Sequence, residues 1–310
     1  MTPVEELVEE ITESGMQNYV VPSERGLSRV SDYVCLTKPE VTFLVLIATG
    51  LGSYMAAAGA LNLWTLFHAV LGTALVAGGT ATLNHYLERD LDGRMRRTAQ
   101  RPLPSGRLTP REVLSFGIVL SVLGGVYLAV FLNWLTCIIG ILTLLSYLLI
   151  YTPLKQKTSW ATFIGAFPGA APVLMGWTAV RGSAGLEAWV LYALLFAWQF
   201  PHFLAIAWIY KEDYARAGLL MLPQRDPEGD RAFLEILATS LTLVPLSLVP
   251  TALGMTGAVY FFSALILSLG LLFFALRASI HRSRLQAKVL LHVTVIYLPL
   301  IYAMMVLDKA

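Results

Sequence analysis

Four stretches of this chain contain no Asp, Glu, Lys or Arg: 41–87, 113–154, 236–276 and 289–307. A bilayer core asks for about 20 consecutive apolar residues per helix. The first three stretches are long enough for two spans each, and each has one weak point at which to fold back: Gly59-Ala60-Leu61-Asn62, Asn133-Trp134 and Gly254-Met255-Thr256-Gly257. The pattern predicts spans near 41–60, 65–87, 112–132, 134–152, 159–180, 187–209, 233–252, 256–276 and 289–306. The fifth carries Gly165, Pro168, Gly169, Pro172 and Gly176, residues that bilayer helices tolerate when neighbours satisfy the freed backbone. The expected fold is an all-α integral membrane protein of about nine transmembrane helices.

Composition agrees, with 56% of the 310 residues hydrophobic and 14% charged, against about 25% charged in soluble domains. Charge placement gives the orientation. With a cytoplasmic N-terminus, the inner face takes Arg25, Arg29 and Lys38, then Arg89, Arg94, Arg96, Arg97, Arg101, Arg107 and Arg111. Further along it takes Lys155 and Lys157, then Lys211, Arg216, Arg225 and Arg231, and finally Arg277, Arg282, Arg284 and Lys288. Only Arg181 and Lys309 of the 22 basic residues fall outside. Basic residues in short cytoplasmic loops set topology, so the N-terminus is expected inside and the C-terminus outside. The first 24 residues carry six Glu and no basic residue, unlike a transit peptide. Residues 1–35 are read as a cytoplasmic arm and 36–310 as the membrane domain. Cys35 and Cys137 fall at different depths, and no disulfide is expected. No nucleic-acid partner is expected either.

The end of the second span reads Asn84-His85-Tyr86-Leu87-Glu88-Arg89-Asp90-Leu91-Asp92. Asn84, Glu88 and Asp92 are spaced i, i+4, i+8, which puts them on one helix face within roughly 12 Å. Two carboxylates and an amide form a hard-oxygen site for Mg²⁺, which takes one or two carboxylates and completes its shell with water and phosphate oxygens. Arg94, Arg96, Arg97 and Arg101 follow and supply forked donors for phosphate. The plainer reading is a positive-inside anchor with compensating acids, but topology alone calls for the arginines and not for the aligned acids.

The end of the sixth span forms a second cluster on the same side, with Gln199, His202, Tyr210, Lys211, Asp213, Tyr214 and Arg216. An interfacial aromatic belt explains much of it. Gln199 and His202 lie inside the bilayer, where polar groups are functional candidates, although a buried histidine is as often structural. Tyr151 and Lys155 precede the Gly/Pro-rich span at the same face.

These residues resemble the membrane prenyltransferases of the UbiA superfamily, and more narrowly its haem-modifying branch. The resemblance runs from Leu36-Thr37-Lys38-Pro39 through the ninth span, and is most specific over 84–106, 151–177 and 201–223. It implies the superfamily's helical bundle and a prenyl diphosphate held through Mg²⁺. Asn84, Glu88 and Asp92 match the first acidic motif, with Glu88 where Asp is usual. At the second motif Tyr210 and Tyr214 stand where two acids are usual, leaving Asp213. The resemblance therefore implies one Mg²⁺ plus basic side chains around the diphosphate. Asn84, Glu88, Asp92, Lys155 and Asp213 take the catalytic positions, and Arg94, Arg96, Arg97, Arg101, Lys211 and Arg216 the diphosphate. Tyr151, Gln199, His202, Tyr210 and Tyr214 are left to touch haem or the prenyl chain.

The implied substrates are farnesyl diphosphate and haem b. The implied setting is a bacterial cytoplasmic membrane, with a haem A synthase or oxidase assembly factor downstream. Two alternatives stay open. One is prenylation of a quinone or chlorophyll precursor. The other is an ion-coupled transporter, which the one-sided acids and the lack of an internal repeat disfavour.

Overall fold

The structure is a computed structural model that describes residues 29–310; most of the expected N-terminal arm lies outside the described residues. Among the described residues a short helix, α1 (Arg29–Leu36), precedes nine helices long and apolar enough to cross a membrane. They are α2 (Pro39–Ala56), α3 (Leu63–Asp92), α4 (Pro110–Phe131), α5 (Trp134–Leu154), α6 (Ala161–Arg181) and α7 (Leu186–Ile209), then α10 (Asp230–Ala252), α11 (Ala258–His281) and α12 (Arg284–Leu307). Between α7 and α10 lie two short helices, α8 (Lys211–Ala217) and α9 (Leu222–Arg225). All nine predicted spans are present. Their ends differ by a few residues because caps and polar first turns extend helices past the apolar run.

The fold-back points work as their residues suggest. Asn62 accepts from the Trp64 and Thr65 amides at the start of α3, and Asn133 accepts from Thr136 at the start of α5. Such N-caps satisfy orphan amides at a helix start. Asn133 also donates to the Thr178 carbonyl at 2.8 Å, and Thr136 shares a 2.9 Å hydrogen bond with Thr178. These bonds tie α5 to α6.

Helix α6 runs unbroken through Pro168 and Pro172 and is among the most buried of the nine. Its glycines allow that position. A Cβ on Gly176 would collide with the Thr49 carbonyl of α2, and one on Gly165 with the Tyr151 ring. Small residues at such crossings let backbones meet. Gly176→Val is expected to cost upwards of about 3 kcal/mol and to lower the melting temperature in detergent. Gly270→Val, at a position facing open space, should leave it nearly unchanged.

Within α5, residues Ser146–Tyr151 form a π-helical turn. Such turns are rare and cluster at functional sites. Beyond it, Thr152 and Lys155 reach the polar end of α3.

Candidate active site

The last two turns of α3 carry the sequence's strongest signal, and three chain-distant cations meet it. Asn84 and Asp92 are each 1% exposed and Glu88 is 8% exposed. The Lys38 ammonium donates to Asn84 Oδ1 at 2.7 Å, and Lys155 donates to Glu88 Oε1 at 2.8 Å. Arg101 donates to both Asp92 oxygens, at 2.9 and 2.8 Å. Asn84 Nδ2 in turn donates to the Thr152 hydroxyl at 3.3 Å. The predicted face is thus real, and it is a charged seat in which three cations face two carboxylates. The excess positive charge suits a polyanion such as a diphosphate.

Local structure explains each arrival. Lys38 sits in the left-handed region at φ 50°, immediately before the proline that opens α2. Arg101 comes from the turns that follow α3, pinned by the Thr98 hydroxyl donating to the Asp92 carbonyl. Lys155 follows the π-turn of α5, and its ammonium also lies 4.5 Å from the Tyr151 ring centroid.

Burial first, and then the Arg101 guanidinium, hold the Lys38 ammonium down at about 8. Burial also works against the charge on Lys155, but Tyr151 and Glu88 more than offset it and the ammonium titrates well above its ordinary range. The folded value of Lys38 lies below its ordinary 10.5, so between about 8 and 10.5 the unfolded chain binds more protons. Stability of the metal-free protein should therefore rise with pH through that window. Melting curves in chelator should show this slope, and Lys38→Gln should flatten it.

The second cluster divides. Tyr214 packs beside Leu91 and Met95. It lies within electrostatic reach of Arg97, Lys155 and Glu88, and burial raises its pKa so that it stays a neutral hydroxyl. Arg97 stands 5.1 Å from the Tyr210 ring centroid. Tyr151 and Tyr147 are 4.9 Å apart beside Lys155.

The remaining candidates lie elsewhere. Asp213 and Arg216 pair with each other along α8, and Lys211 covers the Trp208 ring. Arg94 and Arg96 are exposed, with no ion pair among the described residues. Gln199 donates to the Ala166 carbonyl at 3.0 Å, deeper between α6 and α7. His202 stacks on Trp198 and bonds the Thr294 hydroxyl at 2.9 Å, against α12.

In the sequence Lys38 reads as a topological charge, although its place beside Pro39 at the head of a span marks it. Thr152 and His85 were missed. His85 is 1% exposed and 3.9 Å from Asp92, and among the described residues neither of its ring nitrogens has a hydrogen-bond partner. Its i, i+7 spacing to Asp92 was the available signal.

A cavity of about 590 Å³ opens at the opposite end of the bundle, lined in part by Tyr54, Trp177, Arg181 and Lys309. Its cations cap helix ends. Lys309 donates to the Tyr54 and Ala57 carbonyls, and Arg181 to that of Ala56. Among the described residues the buried acids all lie at the other end.

The UbiA prenyltransferase family matches residues 45–298. The chain belongs to that family. Among curated relatives, the protoheme IX farnesyltransferase of Solibacter usitatus (strain Ellin6076) is 47% identical over 287 residues, covering 90% of this chain and 98% of the relative. That of Koribacter versatilis (strain Ellin345) is 43% identical, covering 94% and 98%. Among solved structures, a digeranylgeranylglyceryl phosphate synthase superposes with TM-score 0.76 at 17% identity, covering 91% of this chain and 99% of its own. A UbiA homolog from Archaeoglobus fulgidus bound to GPP and Mg²⁺ gives TM-score 0.66 at 16% identity, covering 89% and 99%. At those identities the two structures establish the fold. Family membership makes this chain a multi-pass membrane prenyltransferase, with its acid-and-cation seat where α3 ends.

Proposed function

We propose that this protein transfers the farnesyl group of farnesyl diphosphate to a vinyl group of haem b, with addition of water, to give haem O and diphosphate. The observation that carries the acceptor is the 47% identity to a protoheme IX farnesyltransferase across 98% of that protein's length. The setting is a bacterial inner membrane, with the arginine-rich face in the cytoplasm.

The donor set fits a divalent ion. Asn84, Glu88 and Asp92 offer an amide and two carboxylates along one helix face. Among the described residues no group of three or more His, Cys, Asp or Glu forms a metal cage. Mg²⁺ takes one or two carboxylates and leaves much of its shell to water and substrate phosphate. Glu88 and Asp92, with Asn84, would hold Mg²⁺, and the bound ion would neutralise diphosphate oxygens as charge develops on them.

Lys38, Lys155 and Arg101 are placed to bind the diphosphate and stabilise it as it leaves. The C1–O bond breaks with its electron pair going to the diphosphate. The terminal vinyl carbon donates its pair to C1, and water adds at the neighbouring carbon with release of one proton. Tyr151 presents its ring face to the Lys155 ammonium with Tyr147 packed beside it, and aromatic faces stabilise an allylic cation. Tyr214 supplies a neutral donor where an acid would repel the diphosphate.

The test is incubation of membranes containing the protein with farnesyl diphosphate, Mg²⁺ and haem b, followed by mass spectrometry. A haem O peak is expected. Prenylation of a quinone precursor with no haem O would overturn this reading.

A further inference from the structure

His85 is the one side chain in the seat that neither the acidic motif nor the cations explain. A buried imidazole with neither nitrogen partnered loses its hydration without compensation. Such orphans in native proteins call for a missing partner. The ring lies on the same face as Asp92, two turns deeper, with Nδ1 3.9 Å from Asp92 Oδ2. That is too long for a hydrogen bond. Ligands of an octahedral ion with bonds near 2.1 Å stand about 3 Å apart when adjacent and about 4 Å when opposite. The 3.9 Å His85–Asp92 separation is close to the opposite-ligand distance, so one ion can touch both with sub-ångström movement. Each Asp92 oxygen already accepts from Arg101, and a carboxylate oxygen keeps a second lone pair for a metal.

We propose that His85 is a nitrogen ligand to the divalent ion of this site, paired with Asp92. The inference rests on the metal reading given above and extends it. A seat of oxygens alone suits Mg²⁺, whereas imidazole shifts preference toward Mn²⁺, Fe²⁺ and Co²⁺. This chain would accept Mg²⁺ but bind the later ions more tightly. The diphosphate and water would complete the coordination.

The test uses purified full-length protein, Mn²⁺ as the probe with and without inorganic diphosphate, and pulsed EPR. The wild type should give a histidine nitrogen coupling to Mn²⁺ that changes when histidine is ¹⁵N-labelled. His85→Leu should abolish that coupling. It should also weaken Mn²⁺ binding by about tenfold or more while changing Mg²⁺ binding less than threefold. His85→Gln serves if the leucine variant fails to fold, and the labelled wild type needs no variant. Bound Mn²⁺ with no histidine coupling would overturn the role of His85 and leave the oxygen seat standing. Failure of the wild type to bind Mn²⁺ under either condition would overturn the metal reading itself, and this inference with it.

Discussion

Asp92→Ala is expected to lower haem prenylation by about 10²–10³-fold or more, the cost of deleting one preorganised stabiliser of developing charge. The residue ends α3 at 1% exposure, so no water replaces its oxygens cheaply. Its loss removes one of the oxygens proposed to hold the metal and releases Arg101 from the geometry that aims it into the seat. Asp92→Asn keeps the shape and one oxygen. It should recover part of the rate at tenfold higher Mg²⁺, with a raised apparent metal constant. A purely structural role predicts instead a lower melting temperature and an unaltered response to Mg²⁺. Rates within threefold of wild type for Asp92→Ala would remove the residue from the mechanism.

The second large effect is expected at Lys155. Lys155→Met leaves Glu88 buried without its 2.8 Å partner, and breaking such a pair costs roughly 3–5 kcal/mol unless the acid takes up a proton. The same change deletes an ammonium proposed to bind the diphosphate, so activity should fall by about 10²-fold. The two consequences separate in a double variant. Adding Glu88→Gln to Lys155→Met removes the unpaired charge and should return the melting temperature close to wild type. Activity should stay low, because neither ammonium nor carboxylate is restored. Recovery of activity together with stability would mean that the pair only supports the fold.

How much of this was legible in the sequence follows from how local each signal was. The spans were, because a bilayer forbids charge over about 20 residues and Asn62 and Asn133 mark the fold-backs chemically. The face of Asn84, Glu88 and Asp92 was, because helical spacing is a local property. The partners of that face were not. Lys38 meets Asn84 across 46 residues and Lys155 meets Glu88 across 67, and only helix packing decides those meetings. The π-turn that sets the phase of Thr152 and Lys155 has no signature in apolar periodicity. Arg94 and Arg96 mark where local spacing stops being informative. Past Asp92 the helix ends, 3.6-residue spacing ceases to say where a side chain goes, and only Arg101 turns back onto the acids. Gln199 and His202 were flagged for their depth, and their polar atoms are taken up by Ala166 and Thr294 of neighbouring helices.

The three-cation seat has a kinetic consequence. A surplus of positive charge that draws in a prenyl diphosphate grips the freed diphosphate at least as firmly, since the leaving group gains charge when the C1–O bond breaks. In the proposed reaction, added diphosphate should therefore compete with the prenyl diphosphate for the seat.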